Sequence, residues 1–125
     1  MLNPCPCCSG KAFGLCCAPY LGGKSAPRTV KQLMRSRYTA FAAGAHGEYL
    51  LRTWHPRTAP AISAQALGQA DIQWTGLEII ASQQRGDHGV VEFRASFIDA
   101  AGEPGVHHET STFLREGGRW LYLSV

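Results

Sequence analysis

The sequence reads Cys5-Pro6-Cys7-Cys8-Ser9-Gly10-Lys11 near its start and reaches Cys16-Cys17 after four further residues. These are all five cysteines of the 125-residue chain. So close a cluster is typical of a metal site, whereas cysteines that serve cores or disulfides are scattered. Pro6 stiffens the turn between Cys5 and Cys7, so both thiols can point toward one ion.

The spacing predicts a closed zinc site. Zn²⁺ prefers four thiolate or imidazole ligands in a tetrahedron, and four protein ligands mark a structural rather than a catalytic site. The ligands that fit are Cys5, Cys7, Cys16 and Cys17, with Cys8 as the extra thiol. Disulfides, unliganded thiols and a reactive redox pair are the alternatives, and the odd number of cysteines argues against disulfides.

The length and composition favour one soluble domain. A hydrophobic content of 45% and a charged content of 17% are ordinary for a globular protein. No apolar run approaches the roughly 18 residues of a membrane span. The N-terminal segment lacks the pattern of a signal peptide. We therefore expect a cytoplasmic protein, in which thiols stay reduced and favour metal over disulfide.

Charge divides the chain into two parts. Residues 1–47 contain no Asp or Glu but carry six Lys or Arg residues, and all nine acidic residues lie from Glu48 onward. The basic front part is either a solvated helix face with its loop or an electropositive surface for an acidic partner. The formal net charge of +3 falls to about +1 once four thiolates bind Zn²⁺. Such a weak charge argues poorly for general binding to nucleic acid.

Helical patterns follow the Gly-, Pro- and Cys-rich start of the chain. Residues 29–45 repeat apolar side chains at spacings of three and four, and predict a long helix with Thr29 as its N-cap. Residues 48–54 predict a second, short helix that ends because His55 precedes a proline. Ser63 can cap a third helical turn over residues 63–67.

A period of two begins at Ile72 and predicts strands. Gly76 marks a bulge early in the first strand. Residues 83–89 are predicted to form a turn and residues 99–105 a loop. Glu116-Gly117-Gly118 predicts a tight hairpin before a last strand over residues 119–125.

Alternation also predicts which side chains share a face. In the strand before the last hairpin, this face carries His107, Glu109, Ser111 and Phe113, while His108 points the other way. Helices followed by a meander of strands predict an α+β fold, with the helices packed on one face of an antiparallel sheet.

The cysteine stretch resembles the SEC-C motif, which is named for the zinc-binding tail of the SecA translocation ATPase. That motif reads Cys-Pro-Cys-Gly-Ser-Gly-Lys and closes with Cys followed by His or Cys. Its ligand positions fall here on Cys5, Cys7, Cys16 and Cys17. Cys8 stands where the motif has Gly, so a positive φ at this position would be strained.

The resemblance extends along nearly the whole chain. Leu-Met-Arg-Ser-Arg-Tyr at residues 33–38, Arg-Thr-Trp-His-Pro at residues 52–56 and Gly-Arg-Trp at residues 118–120 are similar to the YchJ-like family. The resemblance implies a zinc hook over residues 1–23 and a domain like nuclear transport factor two (NTF2-like) over residues 24–125. In that cone-shaped α+β fold, helices pack in the concave face of a curved antiparallel sheet.

Domains of this conical kind often keep a pocket between helix and sheet, and the candidates to line it are Arg37, Tyr38, Trp54, His55 and Glu109. An enzyme would use Glu109 or His55 as a general base, with Tyr38 and Trp54 lining an apolar cavity. In the alternative, Arg37 and Glu109 form a structural ion pair, because a buried carboxylate needs a partner, and His55 caps backbone groups. No catalytic triad order, phosphate loop or nucleotide fingerprint is present.

Two functional hypotheses follow. In the first, the chain is a binding or adaptor module whose basic N-terminal zinc hook contacts a protein or a ribosome-associated partner. In the second, it is a small-molecule-binding protein or an enzyme that uses the pocket around Arg37, His55 and Glu109. The specific cysteine motif favours the first hypothesis, and the sequence does not decide whether the chain is an enzyme.

Overall fold

The computed structural model describes residues 3–68 and 72–124. The helices come first, after a single 3-10 turn at Phe13–Leu15: α1 (Ala18–Leu21), α2 (Val30–Ala43), α3 (Gly47–Arg52) and α4 (Ala64–Leu67). The strands follow: β1 (Gln73–Arg85), β2 (His88–Ile98), β3 (Pro104–Glu116) and β4 (Arg119–Ser124). Val125, predicted to extend the last strand, lies outside the described residues. In the described part of the chain, every helix is too short or too polar to cross a bilayer.

The four strands form one antiparallel sheet in the order β1-β2-β3-β4, so each strand pairs with its neighbours in sequence. Helix α2 lies on the concave face of this sheet and shares its apolar core. Leu33 of α2, Val91 of β2 and Phe113 of β3 are among the most completely buried side chains of that core. The predicted α+β fold, with helices in the concave face of a curved antiparallel sheet, is confirmed.

Helix α2 begins where the sequence predicts and ends at Ala43, two residues before the predicted end. The hydroxyl of Thr29 accepts a hydrogen bond from the backbone N–H of Gln32 at 3.1 Å, which caps the first turn. Gly44 ends the helix with a φ of 72°, a conformation that suits glycine. The first residue, Val30, donates its backbone N–H to the side-chain oxygen of Gln84 at 2.8 Å, so the start of the helix is attached to β1.

The predicted turn over residues 83–89 is wrong. Strand β1 continues to Arg85, and only Gly86 and Asp87 connect it to β2. The residues of this end of β1 are exposed, so a polar run there is compatible with a strand whose faces both meet solvent. The bulge at Gly76 is confirmed by a shift in register between Trp74 and Gly76.

Helix α3 ends at Arg52, earlier than predicted, because the chain then joins the edge of the sheet. The backbone N–H of His55 donates to the carbonyl of Tyr122 at 2.7 Å, and the N–H of Tyr122 donates to the carbonyl of Thr53 at 2.8 Å. This short parallel bridge fixes residues 53–55 beside β4. The predicted cap of the third helix is confirmed, since the Ser63 hydroxyl accepts the N–H of Ala66 at 3.1 Å.

Replacement of Gly89 by alanine should destabilise the fold. A Cβ atom at this buried position in β2 would lie 2.3 Å from Cγ1 of Val30, which belongs to the first turn of α2. We expect Gly89→Ala to lower the free energy of unfolding by about 2 kcal/mol, measured by urea denaturation. The control is Gly76→Ala, where no atom lies within 4 Å of the new Cβ and a change within about 0.5 kcal/mol is expected. Equal losses for both variants would contradict this packing.

Alkaline pH should weaken the contact between α2 and α3. Burial raises the pKa of Tyr49 to about 12, and its hydroxyl lies 2.6 Å from the Ser36 hydroxyl. The unfolded chain releases this proton near pH 10, so the stabilisation is complete below about pH 10 and is lost as the pH rises toward 12. Between pH 8 and pH 11, the wild type should therefore lose about 1 kcal/mol more of its unfolding free energy than Tyr49→Phe. If urea denaturation shows that the wild type and Tyr49→Phe lose the same unfolding free energy over this pH range, the raised pKa of Tyr49 is contradicted.

Candidate metal centre and cavity

The cysteine stretch folds back on itself through backbone hydrogen bonds. The N–H of Cys5 donates to the carbonyl of Lys11 at 2.9 Å, and the N–H of Phe13 donates to the carbonyl of Asn3 at 2.8 Å. A tight turn between them is closed by a bond of 3.2 Å from the N–H of Cys8 to the carbonyl of Cys5. The chain therefore returns Cys16 and Cys17 to the side on which Cys5 and Cys7 lie.

This folding brings together the four cysteines that the sequence selects. The sulfur atoms of Cys5, Cys7, Cys16 and Cys17 all lie within 4.8 Å of one another. The Sγ atoms of Cys7 and Cys16 are 3.6 Å apart, and those of Cys16 and Cys17 are 3.9 Å apart. Tetrahedral bonds of about 2.3 Å to one zinc ion would separate sulfurs by about 3.8 Å. The donor set and its spacing therefore fit a metal ion bound by four cysteines.

The thiols of the cluster influence one another's ionisation. The neighbouring Cys17 thiol lowers the pKa of the Cys7 thiol. The same pair interaction, together with burial, raises the pKa of Cys17, and burial raises the pKa of Cys16. A thiolate surrounded by thiols is the arrangement that a divalent cation converts into a full set of thiolate ligands, because metal binding releases protons.

The cysteine cluster is attached to α2 and to the sheet. The hydroxyl of Thr39, in the middle of α2, donates to the sulfur of Cys17 at 3.4 Å, and the guanidinium of Arg35 donates to the carbonyl of Cys7 at 2.6 Å. Cys8 has a φ of 63°, the strained conformation expected where the SEC-C motif has Gly. Its sulfur accepts the N–H of Leu77 in β1 at 3.4 Å, so the fifth thiol contacts the sheet and not the cluster.

A separate cavity of about 290 Å³ lies between α2 and the concave face of the sheet. Four of the five pocket candidates contribute to its lining: Arg37, Tyr38, Trp54 and Glu109. The remaining lining residues are mainly apolar, with His107 and Ser111 as further polar members: Met34, Phe41, Trp74, Phe93, Ala95, His107, Ser111 and Tyr122. The cavity thus joins one cation and one carboxylate within aromatic walls.

Arg37 does not form the predicted ion pair with Glu109. Its guanidinium is buried and donates to the carbonyl of Leu50 at 2.8 Å and to the hydroxyl of Thr53 at 2.7 Å, at the C-terminal end of α3. It also lies 4.9 Å from the ring centre of Trp54 and 4.8 Å from that of Tyr122. Burial lowers the pKa of Arg37 to about 10, so the group is charged at neutral pH. Carbonyl, hydroxyl and aromatic partners replace the carboxylate that the sequence suggested.

Glu109 points into the cavity, as the alternation of β3 predicts. One carboxylate oxygen lies 2.7 Å from Nε2 of His107, and the other accepts the hydroxyl of Ser111. His108 faces the opposite side of the sheet, where it lies 2.7 Å from Glu92. The structure therefore adds His107 and Ser111 to the pocket candidates. Their position on the Glu109 face was the available signal, since residues two apart share a face.

His55 does not line the cavity, so its predicted role as a pocket base is not supported. Its Nε2 lies 2.7 Å from Glu116, and its Nδ1 accepts the N–H of Arg57 at 3.1 Å. Both ring nitrogens are therefore engaged outside the cavity, by the last residue of β3 and by the backbone of the loop after α3. Trp54 reaches the cavity instead, and its indole Nε1 is buried without a hydrogen-bond partner among residues 3–68 and 72–124.

Comparison with known proteins agrees with this architecture. The family described as the YchJ middle, NTF2-like domain matches residues 29–125. A UPF0225 protein of Chromobacterium violaceum is 44% identical over 124 residues, covering 96% of this chain and 90% of the relative. A UPF0225 protein of Streptomyces coelicolor is 43% identical over 122 residues, covering 95% and 91%.

A solved structure extends the comparison to the cysteine stretch. The solution structure of a SEC-C motif containing protein from Rhodopseudomonas palustris aligns with a TM-score of 0.88 at 31% identity, covering 96% of this chain and 94% of that one. A protein described as containing a SEC-C motif thus has the same fold as this chain over nearly its whole length. The chain belongs to the YchJ (UPF0225) family and combines a SEC-C motif with an NTF2-like domain.

Proposed function

We propose that this protein is a zinc-stabilised adaptor module that binds an acidic segment of a partner protein beside its cysteine cluster. The observation that carries the proposal is a surface, here named the basic face, that contains six Lys or Arg side chains around two clefts: Lys11, Lys31 and Arg35 around the first, and Lys24, Arg52 and Arg119 around the second. Of the residues described, no Asp or Glu lines either cleft.

The two clefts are adjacent to each other. The first has a volume of about 360 Å³ and lies between the cysteine stretch and α2. The second has a volume of about 430 Å³ and lies between the linker after α1, the helix α3 and strand β4. Tyr20 lines both clefts. In this proposal an extended chain crosses from one cleft to the other beside Tyr20.

The charges of the basic face are available to a partner. Lys11, Lys24, Lys31 and Arg119 are exposed, and none of them pairs with a carboxylate within the described residues. A surface of one sign attracts the opposite charge and raises the rate of association. The proposed partner segment is therefore acidic.

Leu15 supplies an apolar contact at one end of the basic face. Its side chain is 77% exposed although it lines the first cleft beside Lys11 and Lys31. Exposed apolar residues within a polar rim are typical of protein–protein contacts. We therefore propose a protein segment that combines carboxylates with an apolar side chain, ribosome-associated proteins included. A nucleic acid is less favoured because the net charge of the whole chain is low.

The metal in this proposal is zinc, and its role is structural. Four thiolates are a soft donor set that suits Zn²⁺ and leave no open position for a substrate. The ion would hold Lys11 and Leu15, which lie between the two cysteine pairs, in place on the basic face. We place this activity in the cytoplasm, where reduced thiols remain available for the metal.

The purified protein should contain about one Zn²⁺ per chain, as measured by inductively coupled plasma mass spectrometry. Cys16→Ser and Cys17→Ser should each lose most of the metal, because each removes one of four ligands. Cys8→Ser is the matched control and should keep it, because the Cys8 sulfur contacts Leu77 of the sheet instead of the cluster. Equal loss from Cys8→Ser and Cys17→Ser, or a reduced wild type free of zinc, would contradict the assignment.

Charge reversal on the basic face should weaken binding of an acidic peptide. The probe is a fluorescein-labelled peptide of alternating Glu and Leu, titrated at low salt and followed by fluorescence anisotropy. We expect the double variant Lys11→Glu/Lys31→Glu to bind about tenfold or more weakly than the wild type, because close like charges repel. Arg94→Glu, an exposed reversal in β2 that lines neither cleft, is the control and should bind like the wild type.

A second titration separates the partner classes. A single-stranded oligonucleotide of equal charge should bind more weakly than the peptide. Leu15→Ser should weaken binding of the peptide but not binding of the oligonucleotide. Tighter binding of the oligonucleotide, with no effect of Leu15→Ser, would replace the proposed protein partner by a nucleic acid. If Lys11→Glu/Lys31→Glu binds the peptide as tightly as the wild type does, the basic face is not the binding surface.

A further inference from the structure

The cavity between α2 and the sheet is large enough for a small organic molecule. Its volume of about 290 Å³ compares with the roughly 150 Å³ of an engineered protein cavity that holds benzene. A ligand with one or two fused rings and a short chain would therefore fit. His107, whose side chain is 48% exposed, lies at the mouth, while Glu109, 18% exposed, lies deeper.

The walls of the cavity are aromatic. The rings of Tyr38 and Phe97 pack edge-on against Trp74, with centroid distances of 6.3 Å and 5.5 Å. Phe93 and Trp74 also flank the imidazole of His107. Ring faces carry negative charge and attract cations and N–H donors. The walls therefore suit an aromatic ligand, and they also suit a positively charged group near His107.

The polar groups of the cavity leave acceptor lone pairs on Glu109 and one donor without a partner among the described residues, the buried indole Nε1 of Trp54. Arg37 is only 4% exposed and donates to Leu50 and Thr53 of the protein. The hydroxyl of Ser111 is buried and donates to Glu109. His107 uses Nε2 on the same carboxylate. Each carboxylate oxygen of Glu109 accepts one hydrogen bond, and each retains a further lone pair.

We infer that the cavity binds a small aromatic amine, with its ring against Trp74 and its ammonium group donating to Glu109. A ligand carboxylate would instead be repelled by the carboxylate of Glu109. The guanidinium of Arg37 would not offset this repulsion, because it donates to the C-terminal end of α3. This site is separate from the basic face, because none of the Lys or Arg residues of that surface lines the cavity.

The test compares two indole compounds that differ only in their charged end: tryptamine and indole-3-propionate. They are titrated into ¹⁵N-labelled protein and followed by NMR. Tryptamine should bind saturably and at least about tenfold more tightly than indole-3-propionate. The indole N–H signals of Trp54 and Trp74 should shift, whereas that of Trp120, which does not line the cavity, should not.

A pair of variants tests the role of Glu109. Glu109→Gln should weaken tryptamine binding about tenfold. The matched control is Glu92→Gln, which changes the equivalent histidine contact of 2.7 Å on the other face of the sheet and should leave binding unchanged. Lack of saturable binding, tighter binding of indole-3-propionate, a shift at Trp120 equal to that at Trp74, or equal effects of the two variants would each overturn the inference. The ligand comparison on the wild type decides the matter even if Glu109→Gln does not fold.

Discussion

The structure depends on the polar side chains that α2 buries. Ser36, Arg37 and Thr39 lie in the middle of the helix with at most 4% of their surface exposed. Burying such groups costs free energy unless each finds a hydrogen-bond partner. The partners lie on two other parts of the chain: Ser36 and Arg37 contact α3, through Tyr49 and the carbonyl of Leu50, and Thr39 contacts Cys17.

These contacts give α2 a separate role on each of its faces. Met34, Arg37, Tyr38 and Phe41 recur at helical spacing and line the cavity. Arg35 and Thr39, one turn apart on a neighbouring face, hold the cysteine stretch. The cysteine cluster and the cavity are thus both attached to one helix. Three of the four clustered cysteines belong to the same apolar core as this helix and the sheet. The core therefore extends across residue 23, where the sequence predicts a division between the zinc hook and the NTF2-like domain. That division stays a prediction.

The sequence predicted the elements whose signals are local. The period of α2, the caps at Thr29 and Ser63, the bulge at Gly76 and the face of β3 all follow from neighbouring residues. The cysteine spacing and the SEC-C resemblance selected the four sulfurs that the structure brings together. Such features need no knowledge of distant contacts.

Predictions that required a distant partner succeeded less often. Arg37 and Glu109 carry opposite charges on facing elements. The guanidinium of Arg37 nevertheless donates to the carbonyl of Leu50 and the hydroxyl of Thr53 instead of to Glu109. His55 turns toward Glu116 because backbone bonds to Tyr122 place residues 53–55 beside β4. Neither outcome can be derived from spacing, because each depends on which acceptor the folded chain brings closest.

The hairpin at Gly117-Gly118 has a consequence for the chemistry of the whole cone. Both glycines adopt positive φ values, 58° and 79°, so this two-residue turn sets how β3 and β4 are aligned. A slip of β4 by one residue against β3 would exchange the two faces of β4. Leu121 would then face the core and the cavity, while Trp120 and Tyr122 would turn away from them. The side chains that β4 contributes to the inside of the cone are therefore set by a turn of two residues that carry no side chain.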